Sequence, residues 1–115
     1  MTVLILGRNL ELALYRAEVL RSAGHTVAIP KDKNEAIAAI HNSAFDVAII
    51  SYTLSSTTVE ELAELLRQKA PQTAIISIAA HEWDDRLVEP DEIVLANDGP
   101  QALLAAVQRI EANIR

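Results

Sequence analysis

Five positions that follow apolar, strand-like runs are the places where a parallel α/β protein would hold its chemistry. Gly7 and Arg8 follow the first run of this 115-residue chain, Ser51 the third, Ala79 the fourth and Ala96 the fifth. In an open parallel sheet, ligands bind in the crevice outside the carboxyl ends of the strands. Arg8 offers a cation that can hold an anion, and Ser51 offers a hydroxyl without a neighbouring general base in the sequence. Acid–base catalysis and metal binding are therefore not indicated at these positions.

The elements that would position these residues alternate in type. Apolar runs of four to five residues, 3–6, 26–29, 47–50, 74–78 and 92–95, are separated by longer stretches of helical period. This alternation predicts repeated βα units and a parallel sheet with helices on both faces. The two solid apolar runs, 3–6 and 47–50, are expected to be central strands.

Polar residues at the starts of the helical stretches predict the helix boundaries. Asn9, Asp32 and Thr58 are expected to be N-cap residues, the latter two with Glu three residues later. Gly24 is expected to end the first helix, and Pro100 stands in the first turn of the last. The first helix is predicted to bury an apolar stripe made of Leu10, Ala13, Leu14, Ala17 and Leu20.

The connection between the last two strand-like runs, residues 81–91, is short. A full helical crossover between parallel strands takes a dozen or more residues, and this one also carries Pro90 and several charges. We expect a truncated or missing helix here. Trp83, the only tryptophan, lies in this connection and is a candidate for a partner contact.

Composition excludes several classes of function. With 10 Lys and Arg against 16 Asp and Glu, the formal charge is −6, which disfavours direct binding to nucleic acid or to an anionic membrane. No apolar run approaches the roughly 20 residues of a membrane span. The chain has no cysteine, and its three His show no ligand-like spacing. We expect one domain over residues 1–115, located in the cytoplasm, with no metal and no cofactor.

Segments 3–9, 45–51, 74–80 and 93–97 together resemble the response regulator receiver domain family. The resemblance implies a flavodoxin-like, doubly wound sheet of five parallel strands in the order 2-1-3-4-5. It also implies a degenerate member, because residues of other types stand at the positions that carry the family's phosphorylation chemistry. Gly7 and Arg8 replace a metal-binding acidic pair, and Ser51 replaces the phosphoacceptor aspartate. Ala79 replaces a hydroxyl residue and Ala96 a lysine.

The function that the resemblance implies is a non-catalytic signalling module. Val94 stands where the family has an aromatic switch residue. The rotamer change by which that aromatic residue responds to phosphorylation is therefore not expected. We expect protein partners in signalling or transcription regulation, and self-association, through the first and last helices or through a face around Trp83 and Val94. The alternative is a small-anion or nucleotide sensor that uses Arg8, Asn9, Ser51 and Ser55. An enzymatic function is the hypothesis with the least support from the sequence.

Overall fold

The described part of the chain contains five parallel strands and four α-helices, which alternate from β1 to β4. The computed structural model describes residues 1–82 and 89–114. The strands are β1 (Thr2–Leu6), β2 (Thr26–Ala28), β3 (Val47–Ser51), β4 (Ala74–Ala79) and β5 (Glu92–Leu95). The helices are α1 (Leu10–Ser22), α2 (Lys33–Asn42), α3 (Ser56–Lys69) and α4 (Gly99–Ile114), and a short 3₁₀ turn, Ala96–Asp98, precedes α4.

The strands form one sheet in the order β2-β1-β3-β4-β5, and every neighbouring pair is parallel. The flavodoxin-like order predicted from the sequence is therefore confirmed. Strand order reverses between β1 and β3, which places the topological switch point of the sheet at these two strands. Both strands are almost completely buried, because helices cover each face of the sheet.

Two apolar cores lie on opposite faces of the sheet. On one face, alternate strand residues such as Ile5 and Ile49 pack against α1 and α4, which contribute Ala17 and Val107. On the other face, residues such as Ile50 pack against α2 and α3. Because successive strand side chains point to opposite faces, each strand supplies both cores.

The helix starts agree with the sequence at two positions and differ at a third. Asn9 and Asp32 are N-caps whose side-chain oxygens accept hydrogen bonds from backbone N–H groups one turn on. The prediction of Thr58 as the N-cap of α3 was wrong. Ser55 is the cap, and its Oγ accepts from Thr58 N at 3.2 Å. The earlier start is stabilised by this hydrogen bond, and Thr58 is already a residue of the first helical turn.

The first helix faces the sheet through a different stripe from the predicted one. Leu10 and Leu14, expected to be buried, are 55% and 48% exposed. Ala13 and Ala17 are buried as expected and allow close approach of α1 to the sheet, and Arg16 completes the buried face. Gly24 follows the end of this helix with φ of 94°, a backbone conformation that favours glycine.

The predicted shortening of the helix between β4 and β5, and Trp83 within it, lie outside the described residues.

Candidate functional site

The ends of β1 and β3 approach each other closely because residue 7 has no side chain. A Cβ atom added to Gly7 would lie 3.2 Å from Ser51 Cβ and 3.3 Å from Thr53 Oγ1. These distances are shorter than ordinary van der Waals contacts between carbon or oxygen atoms. Gly7 therefore brings the turn after β1 against the last residue of β3.

Ser51 is the end of β3 rather than a residue that follows it, and its side chain is buried, with 2% exposure. Its Oγ accepts hydrogen bonds from Arg16 Nη1 at 3.3 Å, from Thr53 N at 3.3 Å and from Thr53 Oγ1 at 3.2 Å. Thr53 Oγ1 in turn accepts from Arg8 N at 2.9 Å. This network ties the loop after β3 to helix α1 and to the turn after β1.

Arg16 is a buried charged residue beside the candidate site that the sequence reasoning missed. It lies in the middle of α1, is 7% exposed, and points its guanidinium at Ser51. Within residues 1–82 and 89–114 it forms no ion pair with an acidic side chain. Burial lowers the pKa of Arg16, and the neighbouring Tyr52 partly opposes that shift. The sequence did carry a signal, because Arg16 falls at helical spacing from Ala13 and Leu20 on the buried stripe.

Arg16 also occupies the part of the crevice where the receiver resemblance places a lysine. It lines a cavity of about 210 Å³ together with Val94 and Ala96, between α1 and the start of α4. A positive charge therefore reaches this region from α1 instead of from the end of β5. The group that this charge contacts at the end of β3 is the neutral hydroxyl of Ser51.

The four residues proposed from the sequence as one anion site do not all line one cavity. Arg8 and Ser55 line a second cavity, of about 390 Å³, while neither Ser51 nor Asn9 lines it. The Asn9 side chain is occupied in capping α1, where Oδ1 accepts from Leu12 N at 3.1 Å. The Arg8 contribution to the β3 loop comes from its backbone N–H and not from its exposed guanidinium.

The other predicted positions are mostly apolar packing residues. Ala79 is buried at the end of β4, and Ala96 is half-buried in the turn after β5. Val94 was proposed as part of a partner surface, and this needs correction. Its side chain is 6% exposed because it faces the core beneath α1 and α4.

The ends of β1 and β3 do not fit the divalent cation that receiver domains bind there. Gly7, Arg8 and Ser51 supply no carboxylate, and Mg²⁺ in proteins is bound through at least one or two. The cationic Arg16 at Ser51 adds repulsion. Among residues 1–82 and 89–114, no group of three or more His, Asp or Glu side chains is arranged to hold a metal ion.

This doubly wound sheet is the fold of response regulator receiver domains. TrrA from Thermotoga maritima, solved in complex with Mg²⁺ and BeF, has a TM-score of 0.79 over 95% of this chain and 97% of its own, at 18% identity. A CheY-like receiver domain from Methanospirillum hungatei has a TM-score of 0.78 over 96% and 94%, at 17% identity. The N-terminal domain of a response regulator/sensory box/GGDEF protein from Carboxydothermus hydrogenoformans has a TM-score of 0.78 over the whole of both chains, at 20% identity.

Sequence similarity points the same way. A response regulator receiver protein of Anaeromyxobacter sp. (strain Fw109-5) is 34% identical over 84 residues, which are 73% of this chain and 35% of that protein. The chain thus spans about a third of the length of this curated relative. No protein family model matches it. The resemblance to response regulator receiver domains is confirmed, because the chain has their fold and is similar in sequence to a curated receiver protein.

None of the helices in the described part of the chain has the length and apolarity needed to span a bilayer.

Proposed function

We propose that this domain is a non-catalytic, receiver-like module that acts through protein partners without aspartyl phosphorylation. The observation that carries the proposal is the contact between the Arg16 guanidinium and the Ser51 hydroxyl. The proposal takes residues 1–115 as one domain and places it in the cytoplasm, in bacterial-type signalling or transcription regulation. It requires neither a metal nor a cofactor.

The contact bears on the mechanism because Ser51 stands in place of the phosphoacceptor aspartate and Arg16 in place of the cation that would meet the phosphoryl group. A serine hydroxyl cannot form the acyl phosphate that an aspartate forms. Ser51 Oγ is also buried and already accepts three hydrogen bonds, and neither residue that donates them, Arg16 or Thr53, is a general base. The cation that would meet an incoming phosphoryl group is held inside the protein by α1. The network around Ser51 therefore favours one fixed arrangement of the loop after β3.

A partner surface on α1 is supported by exposed apolar side chains. Leu10 and Leu14 lie one helical turn apart, and each is about half exposed, as is the neighbouring Tyr15. Clustered exposed apolar side chains are typical of surfaces that proteins bury against a partner. We infer that a protein partner, or a second copy of the domain, covers this part of α1.

The phosphorylation half of the proposal is tested by incubation with Mg²⁺ and acetyl phosphate, followed by intact-mass measurement. We expect no phosphoryl adduct, while a receiver domain that retains its aspartate acquires one under the same conditions. A stable adduct on any aspartate of this chain would overturn the proposal.

The interaction half is tested by co-purification from the cells that produce the protein, or by sedimentation for self-association. The variant L10Q/L14Q should lose the partner, and addition of Mg²⁺ and acetyl phosphate should leave binding unchanged. Ile93→Gln is the matched control, because Ile93 is 59% exposed on β5 rather than on α1. Loss of binding in I93Q with retention in L10Q/L14Q would reject the α1 surface.

A further inference from the structure

The cavity lined by Arg8 and Ser55 opens at the switch point of the sheet. Its walls come from the end of β1 (6–8), from the segment after β2 (30–33) and from Leu54 and Ser55 after β3. In doubly wound sheets this is the place where ligands bind, outside the carboxyl ends of the strands where strand order reverses. Its volume of about 390 Å³ falls within the roughly 300–1,000 Å³ of small-molecule pockets.

The inner surface of this cavity is apolar. Leu6, Ala36 and Leu62 line it and belong to the buried core beneath α2 and α3. Pro30 and Leu54, which are half-buried, add to the same surface. A bare inorganic anion would leave these side chains without a contact, so the cavity fits a molecule with an apolar or flat part.

The rim of the cavity is cationic in a protein whose formal charge is −6. Arg8, Lys31 and Lys33 all line it. Lys33 is neutralised by an ion pair with Glu61, and the negative charge of Asp32, which also lines the cavity and caps α2, is outweighed by Arg8 and Lys31 together. In the described part of the chain the side chains of Arg8 and Lys31 form no ion pair. These two cations are therefore available to a ligand.

We propose that this cavity binds a small organic anion, with a phosphate or carboxylate group against Arg8 and Lys31 and an apolar body against Leu6 and Leu62. Guanidinium and ammonium groups form charge-assisted hydrogen bonds with both kinds of headgroup. The site is separate from the Arg16–Ser51 contact and from the α1 surface. It goes beyond the proposed function and does not depend on it.

The test uses simple probes and amide chemical shifts of the ¹⁵N-labelled domain. Phenyl phosphate and phenylacetate carry both parts of the ligand with different headgroups, inorganic phosphate carries the charge alone, and phenol carries the ring alone. We expect one or both aromatic anions to bind with a dissociation constant of roughly 1–10 mM, as fits such small ligands. Shift changes should centre on residues 6–8, 30–33 and 54–58. Inorganic phosphate and phenol should bind at least several-fold more weakly.

Variants of the rim separate this site from general charge effects. Arg8→Gln and Lys31→Gln should each raise the dissociation constant about three-fold, and the double variant about ten-fold. Lys69→Gln, at the other end of α3, makes the same change in net charge and should have no effect. Absence of shifts in all titrations, shifts that spread over the whole domain, or equal effects of K69Q and R8Q would overturn the proposal. So would inorganic phosphate that binds as tightly as phenyl phosphate.

Discussion

Replacement of Ser51 by Ala removes the oxygen that accepts hydrogen bonds from helix α1 and from the loop after β3. Ser51 Oγ accepts from Arg16 Nη1, Thr53 N and Thr53 Oγ1, at 3.2 to 3.3 Å. With Ala at this position, the buried guanidinium and the Thr53 N–H lose an acceptor while water is excluded, since Ser51 is 2% exposed. A buried donor left without a partner costs about 1–3 kcal/mol. Because the three distances lie at the long end of the hydrogen-bond range, we expect a loss of about 2 kcal/mol in the free energy of unfolding.

Arg16→Met tests whether Arg16 is the source of that cost. This change removes the buried charge and the donor together, and it keeps an unbranched apolar side chain in the space. Replacement of a buried charge by an apolar residue of similar volume is often neutral or stabilising, so R16M should lie within about 1 kcal/mol of the parent protein. In the R16M background, S51A should cost only about 1 kcal/mol, which gives a coupling energy of about 1 kcal/mol between the two positions.

The contribution of Arg16 to stability is expected to be independent of pH around neutrality. Burial lowers the pKa of Arg16 in the folded protein. The charged guanidinium therefore destabilises the folded state by a constant amount at every pH below that lowered pKa. The guanidinium is charged in both states around neutrality. The effect of R16M should therefore be the same at pH 6 and pH 8.

Urea unfolding at 25 °C measures these differences, with S51A expected to lower the midpoint by roughly 1 M. Ser22→Ala is the control, because its Oγ donates to Glu18 O on the exposed side of α1 and should change stability by less than about 0.5 kcal/mol. If S51A costs the same in the parent protein and in the R16M background, or costs no more than S22A, the assigned role of the contact is wrong.

Three further changes test the local geometry. Gly7→Ala should destabilise the domain by about 1–3 kcal/mol in thermal or urea unfolding, since its Cβ would press on Ser51 in the buried end of β3. Gly24→Ala should cost about 1 kcal/mol through its positive φ, although nothing lies within 4 Å of the added atom. Ser55→Ala should cost about 1 kcal/mol by loss of the α3 cap, whereas Ser56→Ala, one residue into the helix, should cost little when measured in the same way.

The sheet was predictable because its signals are local and redundant. The runs at 3–6 and 47–50 are uniformly apolar, which is typical of strands covered on both faces, and the helical stretches between them require parallel crossovers. The start of α3 was predicted one turn too late because Thr58 and Glu61 have the spacing of a capping box. All four residues from 55 to 58 carry hydroxyl groups, so the sequence could not show that the Ser55 hydroxyl is the one that caps the helix.

The contact at the end of β3 was not predictable in the same way. Arg16 and Ser51 are 35 residues apart, and their meeting depends on the rotation of α1 about its axis and on its distance from the sheet. An apolar-stripe argument favours Leu10 and Leu14 for burial, and an arginine is ordinarily assigned to the surface. The structure instead buries the arginine, and Ser51 is one acceptor for its guanidinium.

Titration with Mg²⁺ and beryllofluoride, followed by amide chemical shifts of the ¹⁵N-labelled domain, tests the central claim most directly. TrrA from Thermotoga maritima, which has been solved in complex with Mg²⁺ and BeF, is the positive control. If Arg16 and Ser51 have replaced the acceptor site, the amides of residues 51–54 should not shift in this domain while the control shifts under the same conditions. Saturable shifts at the ends of β1, β3 and β5 would contradict the account, because they would show that the crevice still binds the phosphoryl mimic and its metal.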